Sequence, residues 1–273
     1  MRPALADIAI PPLPPDLTWI GDGPPRVKRL AATGPVLVHF FDFAQLNAVR
    51  TLPYVRAWHE RYAEAGLNVL GVHTPRFPFT APDDAVADAA RRLAITYPVA
   101  VDGGRRVWRA YGCDGWPSLF LWGQGGVLRW FHFGEGEYEA TEETIQELVL
   151  ESAPEARLPD PLDPLRATDA PGAVVMPPSE EVLPAGSLSE PWRSTPAHPE
   201  LEVPYAAGGA FASVDRTGTI EVALDGSPPR RVAIEGPGLV ELALHTSHEK
   251  HVMRLRPSEG VRVWSISFAA GVP

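Results

Sequence analysis

The sequence predicts an α/β sandwich followed by a smaller all-β domain. In the first half, short apolar runs alternate with segments of helical periodicity, which is typical of a mainly parallel sheet covered by helices. In the last third, short alternating runs are separated by turn sequences, which is typical of a small antiparallel sandwich with a jelly-roll-like arrangement. These two patterns fix the predicted fold class.

The first half is organised around residues 35–62. Val36 to Phe41 is an apolar run of β-branched and aromatic residues, which predicts a strand buried on both faces. From Leu46 onward apolar residues recur at helical spacing, with arginine and glutamate between them. Pro53 lies inside this helix and should bend it, because proline removes one backbone donor.

The elements around this unit follow from the same patterns. A short first strand is predicted at Leu17 to Ile20. The later predicted elements are strands at Leu67 to His73 and Tyr97 to Val101, helices at Pro82 to Ile95 and Gly104 to Tyr111, paired strands at Ser118 to Trp122 and Val127 to Phe133, and a closing helix at Thr141 to Leu150. Together they predict an α/β domain over residues 1–152.

The rest of the chain predicts a linker and a β domain. Residues 153–198 are rich in proline and poor in periodicity, so we expect a linker, with Val174 to Met176 and Trp192 attaching it to a domain. Residues 199–273 predict the antiparallel β-sandwich. Its strands are expected at Phe211 to Val214, Thr219 to Leu224, Arg231 to Ile234, Val240 to Leu244, Val252 to Leu255 and Val261 to Phe268.

Composition excludes several function classes. The net charge is −10, from 24 basic and 34 acidic residues, so a nucleic-acid partner is not predicted. No apolar run is long enough to span a membrane, and the N-terminus does not resemble a signal peptide, so we expect a cytoplasmic protein. The single cysteine excludes an internal disulfide and a zinc site built from thiolates. We predict no cofactor.

Several motifs carry a family resemblance. They are Gln45-Leu46-Asn47-Ala48 followed by Val49-Arg50-Thr51-Leu52-Pro53-Tyr54, then Gly71-Val72-His73-Thr74-Pro75, Trp116-Pro117 and His132 to Tyr138. They resemble the thioredoxin-like redoxins of the TlpA and AhpC/TSA type, and most closely the redoxin domain of DipZ-type cytochrome c biogenesis proteins. The Leu224-Asp225-Gly226 turn and the strand Trp264 to Phe268 resemble the carbohydrate-binding-module-like domain that follows it in those proteins.

The resemblance implies a C-x-x-C motif that this chain lacks. Relatives carry cysteines where Gln45 and Ala48 stand here. Thiol–disulfide exchange needs a thiolate to attack and a second thiol to resolve the mixed disulfide. We therefore expect a degenerate redoxin that is a binding or interaction module rather than a dithiol oxidoreductase. The alternative is an oxidoreductase that works through Cys113 alone, with glutathione or a partner thiol resolving; a small buried hydrophobe at Cys113 is the competing interpretation.

Trp116 and Pro117 match the cis-proline position of the family. We predict a cis bond there, and the resemblance implies that the main chain before this proline pairs with an extended peptide or protein. Gln45 and His73 complete the candidate binding residues, since His73 ends a strand where α/β proteins place functional groups. His73 is equally interpreted as a packing residue.

The remaining histidines and aromatics receive structural interpretations. We expect His39 to be a hydrogen-bonded core residue. His245, His248 and His251 have a spacing that suggests a metal, but a turn should separate them, so we predict no metal site. A glycan or peptide partner of the C-terminal sandwich remains a third hypothesis by analogy of fold.

Overall fold

The computed structural model describes residues 8–23 and 25–273. Contacts divide the chain into two units. The first includes the chain up to Phe43, Asn47–Pro75 and Ala81–Asp163. The second includes Pro164–Pro273 together with two short segments, Ala44–Leu46 and Arg76–Thr80. The predicted boundaries at 152 and 199 stay predictions.

The first unit contains six strands and five helices among its described residues. The strands are β1 Thr18–Ile20, β2 Val36–Phe41, β3 Asn68–His73, β4 Val99–Val101, β5 Ser118–Trp122 and β6 Leu128–Phe133. The helices are α1 Val27–Thr33, α2 Leu46–Tyr62, α3 Asp83–Arg92, α4 Arg106–Ala110 and α5 Tyr138–Ser152. Among these elements, only α1 was not predicted.

The strands of the first unit form one mixed sheet. Their order is β1-β4-β3-β2-β5-β6, with β2, β3 and β4 mutually parallel and the other neighbours antiparallel. All six residues of β2 are buried, which confirms the predicted central strand. The predicted α/β class of this half is therefore confirmed.

The second unit is all-β, as predicted. Its strands are β7 Trp192–Arg193, β8 Leu201–Val214, β9 Gly218–Leu224, β10 Arg230–Ile234, β11 Gly238–Pro257 and β12 Arg262–Ala269. They form one antiparallel sheet in the order β10-β9-β11-β8-β12-β7. Two strands predicted separately, at Val240 to Leu244 and Val252 to Leu255, are one long strand, β11. Its pairing with β8 shifts register between Leu244 and Glu249, so a bulge stands where we expected a turn.

The predicted linker is hydrogen-bonded to the second unit at several points. Met176 and Gly271 exchange main-chain hydrogen bonds, and Val182 does the same with Ile266. Trp192 is half-buried against the core of this unit. The expected attachment through apolar side chains is thus confirmed for Trp192 only, because Val174, Val175 and Met176 are exposed and Met176 is held through its main chain.

None of the helices in the described part of the chain is long and apolar enough to cross a membrane. The cytoplasmic location stays a prediction.

Candidate functional site

The start of α2 holds the two positions that the family resemblance aligns with the cysteines of a C-x-x-C motif. Gln45 directly precedes the first residue of α2, and Ala48 lies in its first turn. Gln45 is half-buried and Ala48 has no exposed surface. The N–H groups at such a helix start would stabilise a thiolate. Here they face an amide and a methyl group, neither of which can form a mixed disulfide.

The main chain around Gln45 is held by packing inside the second unit. The carbonyl oxygen of Ala44 accepts a hydrogen bond of 2.7 Å from the Ser213 hydroxyl, which is buried. Leu46 is 3% exposed and packs in one cluster with Phe211. The two neighbours therefore fix the main chain on both sides of Gln45, and the Gln45 side chain itself stays half-buried.

Cys113, the alternative thiol, is half-buried between α4 and β5. It packs against the apolar cluster that contains Trp108, and its main-chain N–H donates to the Trp108 carbonyl at 3.1 Å. Burial raises the pKa of Cys113 to about 12, although a hydrogen bond with Ser118 acts in the opposite direction. The thiolate is the reactive form of cysteine. This environment therefore favours the interpretation of Cys113 as a packing residue.

The bond between Trp116 and Pro117 is cis, as predicted. The half-buried Trp116 ring lies against Trp108 with 4.4 Å between ring centroids. Its indole N–H donates to the Thr74 carbonyl at 2.9 Å, and the Arg105 guanidinium lies 5.3 Å from its ring. β5 begins immediately after Pro117, so Trp116 is fixed in position at the end of a buried strand.

Asp102 organises this region and was missed by the sequence reasoning. It is 1% exposed and directly follows β4. Its carboxylate accepts main-chain hydrogen bonds from Arg106 at 2.7 Å and from Trp108 at 2.9 Å. These donors would otherwise be unpaired at the start of α4. An acid followed by two glycines just before a helix could have indicated this cap.

His73 and His39 are fully buried, and neither ring nitrogen of either residue has a hydrogen-bond partner in the described part of the chain. The His73 ring stacks on Phe43 at 5.1 Å and burial lowers its pKa. A side chain without exposed surface is not placed to contact a ligand.

Burial lowers the pKa of His39 to about 3. The expectation that His39 is hydrogen-bonded was wrong: it is a neutral ring that stacks on Phe41 at 5.3 Å.

Two of the three C-terminal histidines come together. The rings of His245 and His251 lie 4.4 Å apart and are nearly parallel, beside Glu249. His248 is not part of this group. The argument that a turn separates these residues was wrong, because β11 continues through them and its bulge lies between Leu244 and Glu249.

No family model matches the chain. DipZ of Mycobacterium bovis is 27% identical over an alignment of 283 residues that covers 91% of this chain. That alignment includes both halves, and the first half has the mixed sheet and the cis-proline described above. The chain has a thioredoxin-like redoxin fold and is similar to DipZ over most of its length.

Other relatives match the first half of the chain. The thiol-disulfide oxidoreductase YkuV of Bacillus subtilis is 24% identical over 143 residues, which cover 52% of this chain and 95% of YkuV. A thiol-disulfide isomerase from Corynebacterium glutamicum of known structure is 22% identical, with a TM-score of 0.43, and the match covers 51% of this chain and 96% of the isomerase. The chain spans 40% of the length of DipZ.

Proposed function

We propose that this redoxin is a binding or interaction protein that does not exchange dithiols. One observation carries the proposal: an amide and a methyl group occupy the positions of both cysteines at the start of α2. Electron exchange through sulfur needs an attacking and a resolving thiol, and no change of environment replaces a missing sulfur.

The state of Cys113 supports the same proposal. A one-cysteine mechanism would need an accessible thiol with a lowered pKa. Cys113 is half-buried, and its pKa is raised to about 12. The competing hypothesis, an oxidoreductase that works through this thiol, therefore has the wrong electrostatic environment.

We expect no catalysis of insulin reduction by dithiothreitol in the presence of the wild-type protein. A Gln45→Cys, Ala48→Cys double variant should form an internal disulfide. Insulin reduction with this variant should be at least about tenfold faster than with the wild type, because the helix start lowers the pKa of a thiol by one unit or more. Turbidity of the reduced insulin and the mass of the oxidised variant measure both effects.

A Gln45→Ser, Ala48→Ser variant is the matched control for that experiment. Serine is similar in size to cysteine but has no sulfur, so insulin reduction with this variant should be as slow as with the wild type. Insulin reduction in the presence of the wild type above the rate with dithiothreitol alone would show that the protein retains thiol chemistry, and the proposal would be wrong.

The partner class that we propose is an extended peptide segment at Trp116 and Pro117. Strand addition depends on main-chain groups and an anchoring side chain, not on cysteines. The support is the fixed, half-buried Trp116, held by the Thr74 carbonyl and by Trp108. Tryptophan anchors of this kind commonly dominate the energetics of binding.

An array of extended peptides, probed with the full chain, tests this partner class. We expect Trp116→Ala to lower the affinity for the peptides that bind by at least about tenfold, as for a central anchor. Trp130→Ala is the control, because Trp130 is also half-buried and donates to a side chain, Thr141, elsewhere in the unit. An array without binders, or equal losses in both variants, would contradict the peptide proposal.

The glycan hypothesis receives less support. Sugar-binding surfaces need accessible aromatic rings, and none of the aromatic side chains in the Pro164–Pro273 part of the second unit is exposed. They are Trp192, Tyr205, Phe211, Trp264 and Phe268.

A further inference from the structure

We propose that the second unit contains a metal site for Zn²⁺, formed by His245, Glu249 and His251. Each offers one ligand atom, and the three atoms lie within 4.8 Å of one another. Glu249 Oε2 is 3.2 Å from His251 Nε2 and 3.9 Å from His245 Nδ1. Tetrahedral ligands at the usual Zn–N and Zn–O distances of about 2.0–2.1 Å are about 3.4 Å apart. The observed distances bracket that value.

The nitrogen of each histidine that does not face Glu249 already has a partner. His251 Nδ1 lies 2.6 Å from Asp225 Oδ2, and His245 Nε2 lies 2.8 Å from the Tyr205 hydroxyl. Histidines that bind metals usually donate their second ring N–H to a carboxylate or another oxygen, which fixes the ring and the tautomer. Both imidazoles are thus oriented as metal ligands are.

The fold brings these residues together through non-local pairing. The register between β8 and β11 shifts between Leu244 and Glu249, so His245 lies within the shifted segment, and beyond it His251 pairs with Tyr205. Asp225, at a turn with a positive φ of 52°, accepts the main-chain N–H of Val252 at 2.8 Å and so faces the neighbouring His251. The bulge therefore places two histidines of the same strand side by side.

The donor set and its charge fit a divalent transition metal. Two neutral imidazoles and one carboxylate favour Zn²⁺ over Ca²⁺ or Mg²⁺, which prefer oxygen ligands. Glu249 and Asp225 together balance the two charges of the ion. The side chain of His245 is 7% exposed while that of Glu249 is 39% exposed, so the site is anchored on one side and open to solvent on the other. A water molecule or a ligand can complete the coordination there.

Calorimetric titration of the full chain with Zn²⁺ tests the site. The protein should be prepared without a polyhistidine tag and stripped with a chelator. We expect one equivalent to bind, and His245→Ala or His251→Ala to weaken the affinity at least a hundredfold. Asp225→Asn should weaken it about 10–100-fold, because this residue only orients His251.

His248→Ala is the matched control, since His248 belongs to the same strand and the same sequence pattern but lies outside the group. Its affinity should equal that of the wild type, and circular dichroism should show that all variants are folded. With Co²⁺ as the probe, the visible spectrum should lack a thiolate charge-transfer band, which excludes Cys113 as a ligand. A wild type that binds no stoichiometric Zn²⁺ at micromolar concentration, or an equal loss in His248→Ala, would overturn the proposal.

Discussion

Iodoacetamide should alkylate Cys113 in the native protein roughly a thousandfold more slowly at pH 8 than it alkylates an ordinary cysteine. Only the thiolate reacts, and burial raises the pKa of Cys113 from 9.0 to about 12. Below pH 9 each unit of pKa removes a factor of ten from the thiolate fraction, so three units remove about a factor of a thousand. Mass spectrometry of the intact protein during the reaction measures this rate.

A cysteine introduced at an exposed position provides the reference rate. Ser189 is exposed, so a Ser189→Cys, Cys113→Ala variant presents one accessible thiol in the same protein. The wild type unfolded in urea should also react at the reference rate, because unfolding removes the burial. If Cys113 of the native protein were alkylated as fast as the exposed cysteine, the hypothesis of an oxidoreductase that works through Cys113 would be supported instead.

Much of the first unit was predictable because its determinants are local. A wholly apolar run predicts a strand such as β2, and helical spacing of apolar residues predicts α2. The degenerate positions Gln45 and Ala48 were also found from sequence, since the surrounding motif aligns them directly with the start of α2. The cis bond before Pro117 followed from the same resemblance and is present.

The features that were missed depend on pairing between distant segments. The local sequence between Leu244 and Glu249 does not distinguish a turn from a β-bulge. Whether the chain forms a turn or a bulge there decides whether the rings of His245 and His251 come together. His39 has a polar ring in an apolar strand, so a partner was expected. Its neighbours in the sheet are Gly71 and Leu119, whose side chains offer no hydrogen-bonding group.

Two structural features of the first unit do not depend on sulfur. The central strand is fully buried, and Trp116 is held in position by main-chain and aromatic contacts. The proposed peptide site would use this fixed ring and the main chain beside it, neither of which depends on a cysteine.

Asp102→Ala should lower the free energy of unfolding by about 3 kcal/mol. The buried carboxylate accepts main-chain hydrogen bonds from Arg106, Val107 and Trp108, and hydrogen bonds to a charged group contribute about 1.5–3 kcal/mol when buried donors would otherwise be left unpaired. Loss of the cap also loosens α4, which carries the Trp108 ring under Trp116. Urea unfolding followed by circular dichroism measures the change.

Two substitutions separate this cap from the general effect of removing an acid near a helix start. Asp102→Asn keeps one acceptor oxygen, but its amide nitrogen cannot accept the hydrogen bonds of the second oxygen. It should therefore lower the free energy of unfolding about half as much as Asp102→Ala. Asp83→Ala removes an exposed acid from the first turn of α3 and should change stability by less than about 0.5 kcal/mol. If Asp102→Ala lowered the free energy of unfolding as little as Asp83→Ala, the carboxylate would not hold the start of α4.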